Sequence, residues 1–440
     1  MTNHEARVLF ICYAYPPTGG AGVQRSVKFT KYLPHFGWQP TVLTAANPSV
    51  PVSDNDLLND IDPETIVLRA KTLEPSYSVK QNLATSKRTR RFSPKRWIRH
   101  AAMSVLQPDP QVLWNPLAWH MANKILKQHH KAIYVSGPPF SSFLLGRSLK
   151  RRFQLPLVLD FRDEWLLASQ YMDNHQRTGS SQRRQLAMLH KVLKSADAVL
   201  ATTQASADEL NRQIKNAGGT APVTCLYNGY DEDDIAGVNR SEPTTDRLRI
   251  VYTGTLWKLT DVSPIVSALL RLSKSDPNTA ARIELAIVGR RTPEQNAILK
   301  KLKSSAVKLI LHDYVPHGQS LDLAASADTL LLLLADEAGA ERVVPAKLFE
   351  YLALKKPILA VCGDGEMATL LRQQQHFDQF HPKQTKEIAT WIGSRWRDRE
   401  SARRDQVQHQ PHVKPIQRYS RRELTGQLAG VIDSIVPNTP

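Results

Sequence analysis

Short, almost uninterrupted apolar runs recur along this chain: "VLFICY", "TVLT", "AIYVS", "LVLD" and "AVLAT", then "IVYTG", "LAIVG", "LILHD", "TLLLLLA" and "PILAVC". Stretches with helical character separate them. Strands that are apolar on both faces need cover on both sides, and strands of this length alternating with helices form parallel sheets. The expected fold class is therefore α/β, built from doubly wound, Rossmann-like units. At 440 residues the chain exceeds the roughly 250 to 300 at which one core stops growing, so two domains are expected.

The break between them belongs in residues 228–249, "NGYDEDDIAGVNRSEPTTDRLR", which is polar, rich in turn formers and without apolar periodicity. This predicts an N-terminal domain over 1–235 and a C-terminal domain over 246–415. A last helix over 419–436 opens with Ser420 and Glu423 in capping-box register and is expected to join the first domain. The spacing of Phe29, Tyr32, Leu33 and Phe36 predicts one face of a helix packed on the first sheet.

The 58 lysines and arginines exceed the 41 acids, giving a net charge of +17 and an attraction to anionic partners. Residues 86–100, "SKRTRRFSPKRWIRH", hold seven basic residues interleaved with Phe92 and Trp97, and Trp114 and Trp119 follow. Basic residues with tryptophan suit an anionic membrane surface, which makes 86–119 a candidate membrane contact. A solvated loop and helix face reads equally well. Nucleic acid is disfavoured because no recognised binding motif accompanies the charge.

Cys12, Cys225 and Cys362 lie far apart in apolar runs, as core residues do, so neither a metal nor a disulfide is expected. The N-terminus lacks the basic and small-residue features of a signal peptide. The run "LLLLLA" is too short to span a bilayer. The expected location is cytoplasmic, with peripheral contact at the inner membrane face.

Several strand-end motifs carry candidate chemistry. "YPPTGGAGVQR" places Gly19, Gly20 and Gly22 at a strand-to-helix turn, with Arg25 one turn into the helix. Glycines let the backbone approach an anion there, although a tight turn without a ligand fits too. "DFRDEW" gathers Asp160, Arg162, Asp163 and Glu164 at the end of a strand, where open α/β sheets collect ligand groups. A surface Arg162–Asp163 pair is the alternative. "IVYTGTLWK" repeats the glycine logic with Thr255 and Lys258, and "LHDYVPHGQSL" puts Tyr314 and Val315 where they can border a flat base; an exposed lysine and a structural turn tyrosine fit these stretches as well.

The densest signal is "VVPAKLFEYLALKKPILAV". Pro345 suits a first helical turn, which brings Lys347 beside the N–H groups of the helix start. There a diphosphate gains from both the dipole and the ammonium. Glu350, one turn deeper, can accept hydrogen bonds from a ribose diol. An ordinary Lys347–Glu350 helix pair is the competing explanation.

Taken in order, "YPPTGGAGVQRSVKFTKYL", "SGPPFSS", "DFRDEW", "SADAVLATT", "YNGYD", "YTGTL" and "PAKLFEYLALKKPILAV" resemble the retaining glycosyltransferases of the GT-B fold, family 4, especially bacterial polysaccharide members. The resemblance implies two Rossmann-like domains facing across a cleft. The second holds most of a nucleotide-sugar donor and the first most of an acceptor, a cell-surface glycan or lipid-linked saccharide. It implies no metal and no cofactor. Glu350 looks like the ribose-binding glutamate, Lys347 a donor-phosphate neighbour, Ala346 part of the same donor loop, and Gly19 and Gly20 the turn that meets phosphate or sugar.

The sequence departs from the family pattern at three sites. Arg342 stands where a second, sugar-facing glutamate is usual; Thr255 and a shifted Lys258 replace the usual Arg and Lys; Arg162 and Asp163 stand where many members carry His. The expected assignments are Asp163, Lys258 and Glu350 in catalysis, donor contacts from Arg342, Tyr314 and Val315, and Arg25 and Arg162 on the acceptor side. The expected activity is a hexosyl transfer with retention. The alternatives are a GT-B-type epimerase or phosphorylase and a non-catalytic protein that binds sugar nucleotides or polyanions.

Overall fold

The computed structural model describes residues 6–50, 52–74, 106–126, 129–171, 179–239, 246–374, 377–404 and 416–437. The chain forms two compact units, Met1–Asn228 with Arg421–Pro440, and Gly229–Ser420. The α/β expectation holds in both.

In the first unit seven strands form one sheet: β1 (Ala6–Ile11), β2 (Trp38–Ala45), β3 (Ile66–Ala70), β4 (His130–Gly137), β5 (Leu157–Phe161), β6 (Ala198–Ala201) and β7 (Val223–Cys225). The order is β3-β2-β1-β4-β5-β6-β7, with parallel pairing throughout. Winding reverses between β1 and β4, so the adjoining carboxyl ends of these strands open into the crevice where such sheets bind ligands.

Alternation along β1 divides its side chains between two cores. Leu9 and Ile11 join Leu43, Trp114, Phe143 and Leu159 on one face. Val8 and Phe10 join Val23, Val27 and Phe29 of the helix Ala21–Tyr32 and Leu424, Leu428 and Ile432 of the helix Arg421–Ile435 on the other. The latter helix is pinned further by Trp38, whose Nε1 donates to Asp433 Oδ1 at 2.8 Å.

In the second unit β8 (Leu248–Thr253), β9 (Ile283–Val288), β10 (Lys308–His312), β11 (Thr329–Leu333), β12 (Ile358–Val361) and β13 (Phe377–Phe380) are arranged β10-β9-β8-β11-β12-β13. All pairings are again parallel. Ile250, Leu285, Leu331 and Leu359 face the helices Ser263–Ser275 and Thr385–Arg404 through Ile265, Leu269, Ile388 and Ile392. Val251, Ala286, Leu330 and Leu332 are buried as well. The reversal here lies between β8 and β11; Thr255 and Lys258 follow β8, Arg342 and Lys347 follow β11, and Tyr314 and Val315 follow the edge strand β10.

One local expectation is corrected. The first α-helix stops at Tyr32 and continues as a 3-10 turn over Leu33–Phe36, closed by Gly37 at φ 81°. Pro34 has no N–H to continue the α-helical ladder. The turn swings Phe36 out to 38% exposure, while Phe29 and Leu33 are fully buried.

Candidate functional site

The carboxyl end of β8 is built from glycine contacts that admit no side chain. Gly254 has φ +115° and Gly289, at the end of β9, has φ +128°. A Cβ on Gly289 would stand 2.4 Å from the Gly254 carbonyl oxygen, and a Cβ on Gly254 would stand 2.7 Å from Lys347 Nζ. Two strand-end loops and the first residue of the helix Lys347–Leu354 thus meet at one point. Tyr351 of that helix fixes the junction: its buried hydroxyl accepts from the Thr253 N–H at 2.9 Å and lies 3.1 Å from Thr253 Oγ1.

Lys347 is half-buried and its Nζ lies 3.9 Å from the centroid of the Tyr252 ring. Tyr252 is itself held by its hydroxyl, which donates to the Thr255 carbonyl at 3.0 Å. Among the described residues the ammonium makes no ion pair or hydrogen bond. Burial lowers its pKa from 10.5 to about 7, with the charge of Glu350 opposing the shift. A buried cation without a direct ion-pair partner gains when an anion arrives.

Glu350 makes no direct ion pair with Lys347 among the described residues; the two interact only through space. Glu350 Oε1 accepts from His317 Nε2 at 2.9 Å, and His317 Nδ1 lies 3.5 Å from Asp234 Oδ2. Sequence reasoning missed His317. It is the first residue of the helix His317–Ala325, just past the carboxyl end of β10, so the strand-end rule that selected Tyr314 and Val315 would have reached it three residues later. Tyr314 and Val315 are half-buried in the loop before that helix.

Pro345 stands one residue before the helix cap, Ala346, instead of inside the first turn; no side chain caps this end, which leaves the start of the helix to backbone groups. Thr255 and Lys258 are exposed in the loop after β8, and Lys258 Nζ lies 3.1 Å from Glu337 Oε2. The Ala335 N–H donates to Leu259 O at 2.8 Å, tying this loop to the end of β11. Arg342 lies in the 3-10 turn Ala340–Arg342, 3.4 Å from Glu341 Oε1. Glu341 also accepts from the Gly339 N–H at 2.7 Å. This turn borders an open pocket at the ends of β11 and β12, lined by Asp336, Glu337, Glu341, Gly363, Asp364 and Met367.

In the first unit Gly20 takes φ 106° ahead of the helix Ala21–Tyr32, and the Gly19 N–H donates to Val52 O at 3.1 Å. Arg162 crosses the same turn: a Cβ on Gly22 would fall 1.9 Å from its Nη1, and its Nη2 donates to Pro138 O. Asp163 is exposed beside it. Glu164 is buried and accepts from Ser206 Oγ at 2.7 Å, a packing role.

Two expectations are overturned here. Arg25 is not open to an acceptor. It is fully buried, with Nε and Nη2 each 2.8 Å from Asp160 and Nη1 donating to Tyr227 O at 2.8 Å. Trp114 is not an interfacial tryptophan either. It is fully buried, and its Nε1 donates to Ala70 O at 3.2 Å, while Trp119 packs half-buried on the same core. The basic run 86–100 lies outside the described residues. Cys12 and Cys362 are buried, and burial pushes both thiols up to about 12, which makes them inert packing residues. Among the described residues no helix is long and apolar enough to cross a membrane.

Residues 19–229 match a family model described as a glycosyl transferase 4-like domain. No curated relative matches the chain by sequence. In structure it is similar to Anabaena HepE in complex with UDP and glucose, with a TM-score of 0.58 and 15% identity over 98% of this chain and 100% of that one. It is also similar to the N-terminal domain of Candida albicans trehalose-6-phosphate phosphatase, at TM-score 0.62 and 13% identity over 98% and 97% of the two chains. WaaG, a glycosyltransferase involved in lipopolysaccharide biosynthesis, follows at 0.57 and 14% over 97% and 99%. At such identities the likeness establishes the fold: the chain has the two-domain, Rossmann-like GT-B architecture, and most of its first unit matches a glycosyl transferase 4-like domain.

Proposed function

We propose that this protein is a glycosyltransferase that moves a hexosyl group from a nucleotide sugar to a cell-surface glycan or lipid-linked saccharide, with retention at the anomeric carbon and without a metal. The observation that carries the reading is Lys347, whose ammonium is held against the Gly254 turn, makes no direct ion pair among the described residues and lies one helical turn from Glu350. That pair matches a nucleoside diphosphate: phosphate charge at the lysine and the helix start, ribose hydroxyls at the glutamate. The solved structures of HepE hold UDP with glucose, or UDP-glucose, which is consistent with a nucleotide-sugar donor here.

In this reading the leaving diphosphate is stabilised by Lys347, by Lys258 on the neighbouring loop and by the backbone at Ala346. Such preorganised charge supplies much of the rate in group transfer. Departure of the diphosphate and front-face attack by the acceptor hydroxyl pass through an oxocarbenium-like state. Arg342 takes the sugar-facing position usually held by a glutamate, and Tyr314 and Val315 border the base. Gly19, Gly20, Arg162 and Asp163 serve the acceptor or the transferred sugar. Contact with an anionic membrane surface through the basic run 86–100 belongs to the same proposal.

Arg342 favours one rival, a sugar-nucleotide-binding protein without turnover. The separating experiment incubates purified protein with a panel of nucleotide sugars and lipid-linked saccharide acceptors. Elongated acceptor together with released nucleoside diphosphate supports the transferase; binding without either product supports the rival.

A further inference from the structure

We propose that His317 is the positioning residue of the donor site: it holds the Glu350 carboxylate in the orientation that accepts the ribose diol, and Asp234 holds His317 in turn. The proposal rests on the donor-site reading above and adds to it a specific origin for ribose recognition. A carboxylate only accepts hydrogen bonds, so His317 Nε2 must be the donor in the 2.9 Å contact with Glu350 Oε1. The other ring nitrogen then faces a second carboxylate, Asp234, at 3.5 Å, an ion-pair distance and not a hydrogen-bond distance. Asp234 can accept from Nδ1 only when the ring carries both protons.

The three groups come from separate elements that the fold brings together. His317 begins the helix His317–Ala325 behind Pro316, Glu350 lies in the first turn of the helix Lys347–Leu354, and Asp234 sits in the short helix Glu232–Ala236. That short helix is fixed at its start by Asp231, whose side chain accepts from the Asp233 N–H at 2.9 Å. His317 and Glu350 are each about one-fifth exposed, so both reach the surface while their mutual contact is set by packing. A glutamate left alone samples several rotamers. One anchored at an oxygen is held in one orientation, and preorganisation of that kind is what a diol recognised by two hydrogen bonds requires.

The test measures binding of UDP, GDP and ADP and of their 2′-deoxy counterparts to the full chain, by calorimetry, for the wild type, His317→Ala, His317→Gln and Glu350→Gln, with melting temperatures alongside. The wild type should prefer a ribonucleotide over its deoxy form by about tenfold or more, the size of one hydrogen bond to a charged group. His317→Ala should erase most of that preference while still binding the deoxy form as the wild type does. His317→Gln, whose amide nitrogen can stand in for Nε2, should restore a large part of it. A merely structural histidine would weaken both nucleotides alike, and unaltered discrimination in His317→Ala would likewise overturn the assignment. If no nucleoside diphosphate binds the wild type, or if Glu350→Gln discriminates as the wild type does, the donor-site reading itself fails, and the inference with it.

Discussion

Arg25 and Asp160 form a two-pronged ion pair sealed inside the first unit: Nε–Oδ2 and Nη2–Oδ1 are both 2.8 Å, and neither side chain is exposed. Tyr134 of β4 donates to the same carboxylate, and Arg25 reaches the chain beyond β7 through Tyr227 O. One buried network therefore ties the glycine turn's helix to the middle of β4 and the end of β5. Removing one partner strands a buried charge, so Arg25→Met and Asp160→Asn should each cost about 3–5 kcal/mol in urea unfolding. The double replacement Arg25→Met/Asp160→Leu should cost much less than the sum. Losses under 1 kcal/mol for the single changes would show that water reaches the pair.

How much of this was legible in the sequence depended on burial. The strands announced by apolar runs include the interior strands of both sheets. The three the runs did not announce, β3, β7 and β13, are all edges. β3 carries exposed Ile66 and Arg69, β7 is three residues long, and β13 reads Phe-Asp-Gln-Phe. An edge strand needs less apolar cover, so its pattern fades. At the site, charged residues at strand and helix ends stood out, which drew attention to Lys347 and Glu350. Their real partners did not: Tyr252 and Tyr351 look like core tyrosines in an apolar run, and the contacts of His317 and Asp234 depend on tertiary packing. Arg25 misled for the same reason, because its acid lies 135 residues away.

Lys347 sets a pH dependence whose sign follows from its depressed pKa of about 7 against an ordinary 10.5. Below about 7 the folded and unfolded chains both hold the proton, and the cost of burying the charge is present in full. Between 7 and 10.5 only the unfolded chain holds it, so stability rises with pH; above 10.5 the contribution is gone. The wild type should therefore gain stability relative to Lys347→Met between about pH 7 and pH 10. Denaturation curves of both proteins check this, and parallel curves across the window would contradict it. A bound diphosphate should recharge the lysine, so nucleotide binding near pH 8 should take up a proton. Calorimetry in buffers of different ionisation enthalpy reads that uptake directly.

Lys355 ends the helix Lys347–Leu354 in the left-handed region, at φ 57° and ψ 35°, with its side chain exposed. Glycine takes that conformation without the Cβ penalty. Lys355→Gly should stabilise the protein by about 0.5–1 kcal/mol and leave donor kinetics unchanged. A lower melting temperature would mean that the side chain contributes more than the strain costs.

If lysines and backbone neutralise the diphosphate, full chelation with EDTA should leave turnover intact. A strict requirement for Mg²⁺ or Mn²⁺, restored on adding the metal back, would contradict that assignment of charge.

The central claim is that the helix start at Lys347 and Glu350 binds the donor. Glu350→Gln keeps the size and one acceptor oxygen but removes the charge, and Lys347→Ala removes the cation. Each should lower donor kcat/KM by roughly 1.5–3 kcal/mol, the range for a hydrogen bond to a charged group, with the fold intact. The most direct measurement is donor kcat/KM for Glu350→Gln beside the wild type at matched folded fraction. The account predicts a loss of about tenfold to a hundredfold; wild-type donor kinetics in this variant would contradict it.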